Sequence, residues 1–129
     1  MPNYYARRTG KYALPPNVRS QLIYLIKDYE RMKEEADAIL SEYRINFEDM
    51  PKQSAHSDMV ASKAARREYI LLRLEAIDTA FQKVPEVYRL PIYNNICRRE
   101  RYPDYADKTT FWRWRSKMLY YLAKSLGMI

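Results

Sequence analysis

One apolar repeat runs through the first third of this 129-residue chain and leaves that region few alternatives to a helix. From Val18 to Tyr43, apolar side chains recur at alternating steps of four and three residues, which is the heptad seam of a helix that packs along one side. The residues of this seam are Val18, Leu22, Leu25, Tyr29, Met32, Ala36, Ile39 and Tyr43. Asn17 follows two prolines and is a suitable N-cap. The pattern therefore predicts one helix from Asn17 to Tyr43, about 40 Å long.

A second long helix is predicted after a loop at residues 44–57. Ser57 or Asp58 would cap this helix, and it would end near Lys83. Its clean apolar positions lie in its second half and are Ile70, Leu74, Ile77, Phe81 and Val84. Two such helices bury their seams most simply as a long antiparallel hairpin over residues 17–84, although an intermolecular coiled coil would satisfy the same pattern.

The chain carries a net charge of +7, and the excess lies at its two ends. Residues 1–16 have three basic and no acidic side chains, residues 17–84 have 11 and 12, and residues 85–129 have nine and four. A basic C-terminal third is typical of proteins that bind polyanions. A glycine and two prolines discourage regular structure in the first segment, so we predict a flexible basic arm there. The more specific alternative is an arm that contacts DNA.

The last predicted helix separates its side chains onto two faces. One face is apolar and carries Phe111, Trp114, Met118, Leu122 and Leu126. The opposite stripe, about 60° wide, carries Arg113, Lys117, Tyr120 and Lys124. Such a helix can bury one face and present a cationic edge to a DNA groove, where phosphates supply charge and base edges supply specificity.

The order of elements before this helix predicts a helix-turn-helix-like unit. Pro85 suits the first turn of a short helix, and Pro91 would divide that helix from a second one at residues 91–101. A turn at residues 102–104 would follow. The candidate caps of the last helix are Asp107 and Thr109. A helix, a short turn and a basic amphipathic helix in this order are typical of DNA-binding proteins.

The sequence offers no constellation for catalysis or for a metal ion. His56, the one histidine, lies in the predicted loop without ligand neighbours, and Cys97 falls on an apolar helix side. Two glycines cannot build a phosphate-binding loop. We therefore predict no enzyme activity, no metal and no cofactor. Arg115 falls among apolar positions, so we expect a structural ion pair with Glu86 or Glu100.

The C-terminal third resembles known transcription proteins. Residues 84–89, Val-Pro-Glu-Val-Tyr-Arg, are similar to the Leu-Pro-x-x-x-Arg start of sigma factor region 4. Residues 109–115, Thr-Thr-Phe-Trp-Arg-Trp-Arg, with Leu-Ala-Lys-Ser-Leu-Gly at residues 122–127, resemble the end of phage transcriptional regulators of the RinA type. The resemblance implies a sigma-region-4-like helix-turn-helix that activates late phage genes, such as those for packaging and morphogenesis.

The resemblance also implies that Thr109, Thr110 and Arg113 lie at the groove-facing start of a recognition helix. With the cationic stripe and the basic end of the helix before it, the candidates for DNA contact are Arg98, Arg99, Arg101, Lys108, Thr109, Thr110, Trp112, Arg113, Lys117, Tyr120 and Lys124. Arg113 is the best candidate for a base contact, because arginine to guanine is the commonest specific pair. Lys117 and Lys124 should meet phosphates.

These patterns together predict an all-α regulator that binds double-stranded DNA, with an arm at residues 1–16, a hairpin at 17–84 and a DNA-binding unit at 85–129. The hairpin would contact RNA polymerase or form a homo-oligomer, because the longer first seam leaves apolar surface near Met32 and Ile39.

No apolar run of about 18 residues occurs, so we expect no membrane span. The resemblance to phage regulators implies the cytoplasm of a bacterial host. Two alternatives remain open. One is a phage small terminase-like DNA-recognition protein, which also joins a helix-turn-helix to a helical oligomerisation hairpin. The other is a helical scaffold protein that does not bind DNA.

Overall fold

The computed structural model describes residues 10–48 and 54–129. Over these ranges the protein has five α-helices and no strand, which confirms the predicted all-α fold class. The helices are α1 (Pro16–Lys27), α2 (Tyr29–Glu48), α3 (Ser54–Gln82), α4 (Glu86–Arg98) and α5 (Lys108–Ser125). Residues 1–9 of the arm predicted at residues 1–16 lie outside the described residues.

Two compact units share these helices. The middle unit consists of residues 28–75, with α2 and most of α3. The split unit consists of residues 10–27 together with residues 76–129, so it combines α1, the end of α3, α4 and α5. The split unit is thus assembled from segments that are far apart in the sequence.

A one-residue interruption at Asp28 divides the single helix predicted from Asn17 to Tyr43, so that prediction is wrong. The Asp28 carboxylate accepts hydrogen bonds from the Arg31 guanidinium through both oxygens, with Arg31 Nε 2.7 Å from Oδ1. This hydrogen-bonded pairing with Arg31 lowers the pKa of Asp28. The negative charge is held at the start of α2, where it also interacts favourably with the helix dipole.

The two halves of the apolar seam pack in different units, which is the physical reason for the interruption. Leu22 and Ile26 of α1 are fully buried in the split unit, where α1, α4 and α5 contact one another. Met32 and Ala36 of α2 are buried in the middle unit. The uncovered apolar surface that we expected at Met32 is therefore not there, while Ile39 is half-buried.

Two ion pairs join α2 and α3 in the middle unit. Lys63 Nζ lies 2.7 Å from Glu42 Oε2, and Arg66 Nε lies 3.1 Å from Glu35 Oε2. The later residue of α3 pairs with the earlier residue of α2, so the two helices run in opposite directions at these contacts. The hairpin predicted for residues 17–84 as a whole stays a prediction.

The loop predicted at residues 44–57 is wrong at both ends. α2 continues to Glu48 and α3 already begins at Ser54, so neither Ser57 nor Asp58 starts α3. Asparagine and serine disfavour a helix by no more than about 0.7 kcal/mol each, which the neighbouring helical turns can outweigh.

α4 runs unbroken from Glu86 to Arg98 through Pro91, so the predicted division into two helices is wrong. Proline lacks the N–H that would bond to the carbonyl four residues earlier, which is that of Val87. The Tyr105 hydroxyl donates a hydrogen bond to Val87 O and replaces the missing one. This contact from outside the helix satisfies the carbonyl that the proline leaves free.

We expect Tyr105→Phe to lower the free energy of unfolding by about 0.5–1.5 kcal/mol, the net contribution of a typical hydrogen bond. Phenylalanine retains the stacking of this ring on Tyr88. The loss should be smaller in a Pro91→Ala background, because alanine supplies the N–H that proline lacks. Chemical denaturation of the wild type, both single variants and the double variant measures the coupling. Equal losses in both backgrounds would contradict this account.

The nine-residue connection between α4 and α5 runs back along α4. Asn95 Nδ2, near the end of α4, donates to Glu100 O at 2.8 Å, whereas Tyr105 stacks on Tyr88 in the first turn of α4. The ring of Phe111 at the start of α5 also lies 5.4 Å from that of Tyr88. α5 thus begins beside the start of α4, and a nine-residue connection takes the place of the short turn predicted at residues 102–104. The helix-turn-helix assignment stays a prediction.

Arg89 joins the end of α3 to α4. Its Nε donates to Val84 O at 2.7 Å and its Nη2 to Gln82 O at 3.1 Å. A positive charge is favourable at the C-terminal end of a helix, where carbonyl groups lack helical donors. Arg89 therefore stabilises the junction between two helices, a role that the sequence did not reveal.

Candidate nucleic-acid interface

The two compact units differ in charge. The split unit, at residues 10–27 and 76–129, carries 13 basic and five acidic side chains, whereas the middle unit carries eight and 11. A surface with such a cationic excess attracts polyanions at long range. The split unit is therefore the part of the described chain on which a nucleic-acid interface has to be sought.

α5 buries its apolar face in the split unit. On its opposite face, the first two turns of the helix are exposed. Phe111, Met118 and Leu122 on the inner face are fully buried. Four predicted contact residues of the first two turns are exposed: Lys108, Thr109, Trp112 and Arg113. Thr110 is half-buried. The first two turns of α5 thus present a base-contacting candidate, a further cation and an indole ring to the solvent.

The N-terminal segment crosses the second half of the cationic stripe at Tyr12. The ring of Tyr12 lies 5.2 Å from that of Tyr120, and Lys117 Nζ lies 5.3 Å from the centre of the Tyr12 ring. A hydrogen bond with Tyr12 raises the pKa of Tyr121. Residues 10–14 are therefore packed on α5, which corrects the prediction of a flexible arm for this part of it.

Lys117 is engaged within the protein. Its Nζ lies 4.9 Å from the centre of the Trp114 ring as well as beside Tyr12, so the ammonium group has an aromatic ring on two sides. Lys117 and Tyr120 are both half-buried. Lys124 is exposed beyond the crossing, with its Nζ 5.4 Å from the Tyr120 ring. Of the two lysines expected to meet phosphates, Lys124 is the accessible one.

Arg98, Arg99 and Arg101 are exposed at the end of α4 and in the connection that follows it. Arg98 is the last residue of α4, and Arg99 ends the helix with a left-handed φ of 55°, a conformation usual for glycine. Asn95, one turn earlier, is bonded to Arg115 in the middle of α5. Arg98 and Arg99 therefore lie away from the first turn of α5, whereas Tyr102, the neighbour of Arg101, stacks on Phe111 in that turn.

Arg115 pairs with neither of the predicted carboxylates. Its Nη1 donates to Asn95 Oδ1 at 3.0 Å, and its guanidinium carbon lies 4.7 Å from the centre of the Trp112 ring. Glu100 contributes its main-chain carbonyl to Asn95, and Glu86 lies at the opposite end of α4. A neutral amide thus binds Nη1 of the guanidinium where we expected an ion pair, and among the described residues the buried Arg115 Nε has no hydrogen-bond partner.

The described residues contain no group of three or more histidine, cysteine, aspartate or glutamate side chains that could hold a metal ion. Cys97 Sγ lies 3.6 Å from Ile26 O and links α4 to α1. Within the ranges that the structure covers, no helix has both the length and the apolar character needed to span a bilayer.

Comparison of this chain with protein-family models, curated proteins and solved structures gives no match. The similarity to sigma factor region 4 and to RinA-type regulators is thus carried by the quoted sequence segments alone.

Proposed function

We propose that this protein is a sequence-specific regulator of transcription that binds duplex DNA with the first two turns of α5. The observation that carries the proposal is the exposed Arg113, which lies opposite the fully buried Phe111 in a unit with 13 basic and five acidic side chains. The cationic excess supplies the phosphate attraction, and the exposed arginine supplies a group that distinguishes guanine.

The Tyr12 crossing limits how α5 can enter DNA. Within the cationic stripe Arg113 is exposed, whereas Lys117 and Tyr120 are half-buried. Only the N-terminal end of the helix can therefore reach base edges, as in recognition helices whose first residues contact the bases. Lys124 would lie further from the bases and meet the backbone.

The middle unit has a different role in this proposal. Its excess of acidic side chains disfavours DNA, and three large side chains of α3, Tyr69, Leu71 and Leu72, are exposed. Exposed apolar side chains on a helix are suited to protein partners. We propose RNA polymerase or a second copy of the chain as the partner. The quoted resemblance favours late phage genes as the target, in the cytoplasm of a bacterial host.

A selection from a random pool of duplex DNA tests the proposal. The full chain should enrich one sequence, and its affinity for that sequence should fall steeply between about 50 and 200 mM salt, as counterion release requires. Fluorescence anisotropy then compares the enriched duplex with a shuffled duplex of the same composition. Lys33→Ala, which removes an exposed cation from the middle unit, should behave like the wild type.

Two results would overturn the proposal. A wild-type chain without affinity for any duplex at low salt would exclude DNA binding. Binding without enrichment of any sequence would exclude sequence recognition and favour an architectural role.

A further inference from the structure

A cleft of about 780 Å³ lies in the split unit beside the exposed start of α5. One wall is the N-terminal segment, residues 10–14, and Arg19 of α1 lies next to it. The α5 wall is formed by Thr109, Trp112, Ser116 and Leu119. The cleft thus flanks Arg113, because Thr109 and Ser116 lie one helical turn before and after it on the same side of the helix.

The side chains of this cleft are suited to an anion. Among the residues that line it, Lys11 and Arg19 are cationic and none is acidic. Thr109 and Ser116 add hydroxyl groups. Within the part of the chain that the structure describes, the Arg19 guanidinium makes no salt bridge and no side-chain hydrogen bond. An arginine in this state is available for bidentate binding of a phosphate.

The size and the rim of the cleft indicate more than a free inorganic ion. A volume of about 780 Å³ exceeds what one phosphate fills and lies within the roughly 300–1,000 Å³ of sites for larger ligands. Lys11 and Thr109 are exposed at the rim, and Trp112 exposes 47% of its surface. The indole offers an apolar wall against which a sugar can pack.

We propose that this cleft binds one strand of the DNA backbone, with Lys11 and Arg19 on a phosphate and Trp112 against the adjoining sugar. The inference rests on the proposed function. If the start of α5 enters a groove of the DNA, one of the two strands that border this groove passes over the cleft. The contact fixes the register of the helix on the duplex, which phosphate contacts do without reading sequence themselves.

The test compares two variants of α1 that each lose one positive charge. Arg19→Ala removes one of the two cations of the cleft, and Lys27→Ala removes an exposed cation of the same helix that does not line the cleft. Arg19→Ala should reduce the slope of log affinity against log salt by about 0.9, one phosphate's worth, on selected and on shuffled DNA. Lys27→Ala should leave the slope within error of the wild type. Thermal melts show that both variants are folded.

A scan with single methylphosphonate groups in the selected duplex identifies the phosphate. One or two neutralised positions should weaken the wild type more than they weaken Arg19→Ala, because Arg19→Ala has already lost one of the two cations that contact this phosphate. If the wild type binds and Arg19→Ala keeps its salt slope, or if every position weakens both proteins equally, the cleft does not bind the backbone, and the proposed function stands. If the wild type binds no DNA, the proposed function fails and this inference fails with it.

Discussion

Arg113→Ala should remove discrimination between the selected and the shuffled duplex while leaving much of the non-specific affinity intact. An arginine that binds a guanine edge contributes about 1–3 kcal/mol of discrimination, so the ratio of the two affinities should fall roughly 5- to 150-fold. Arg113→Lys is the informative companion, because lysine keeps the charge and loses the bidentate geometry. Arg113→Lys should lose discrimination between the two duplexes and keep the wild-type slope of log affinity against log salt.

Lys124→Ala is the matched control for this experiment. Lys124 is exposed on the same helix, three turns beyond Arg113, and should contact only phosphate. Its loss should weaken binding to both duplexes equally and reduce the salt slope by about one charge's worth. Anisotropy titrations on both duplexes at several salt concentrations measure these quantities. If Arg113→Ala discriminates as well as the wild type, the start of α5 does not read bases.

Phe111→Ala should destabilise the split unit more than any change on its surface. The Phe111 ring is fully buried and lies 4.5 Å from the ring of Tyr102 and 5.8 Å from that of Tyr105. Truncation of a buried phenylalanine lowers the free energy of unfolding by about 3–5 kcal/mol, because burial is lost and a cavity remains. That loss is a large part of the roughly 5–15 kcal/mol that stabilises a typical protein.

The neighbouring Trp112→Ala provides the control, since Trp112 is large but 47% exposed. Urea denaturation followed by far-ultraviolet circular dichroism should show a small loss for Trp112→Ala and a large one for Phe111→Ala. Equal losses would mean that the aromatic cluster around position 111 does not organise this unit.

The sequence predicted well which residues form helices, but it predicted poorly which helices pack against each other. The seam from Val18 to Tyr43 correctly indicated helical packing, but periodicity cannot show that Leu22 and Met32 are buried in different units. The division of the helix predicted at Pro91 was wrong, because the hydrogen bond that proline cannot make is replaced. The replacement comes from Tyr105, 14 residues later, and no local pattern contains that information.

In the candidate interface, too, the sequence predicted local features and missed contacts between distant residues. Helical spacing alone identified the buried Phe111 and the exposed Arg113. The crossing by Tyr12 depends on a contact between residues more than 100 positions apart, so it could not be foreseen. A weak signal was present, because Leu14 near Tyr12 is an apolar residue in a polar segment and is buried in the structure.

The assembly of the split unit from distant segments sets the order in which the protein can mature during synthesis. α1 leaves the ribosome first, but the helices that cover Leu22 and Ile26 are the last two to be made. The middle unit has all its residues long before that point and can fold while α1 is still waiting for its partners. The surface that we propose for DNA binding therefore comes into existence only after α5 has been synthesised, so chains that end before α5 lack it.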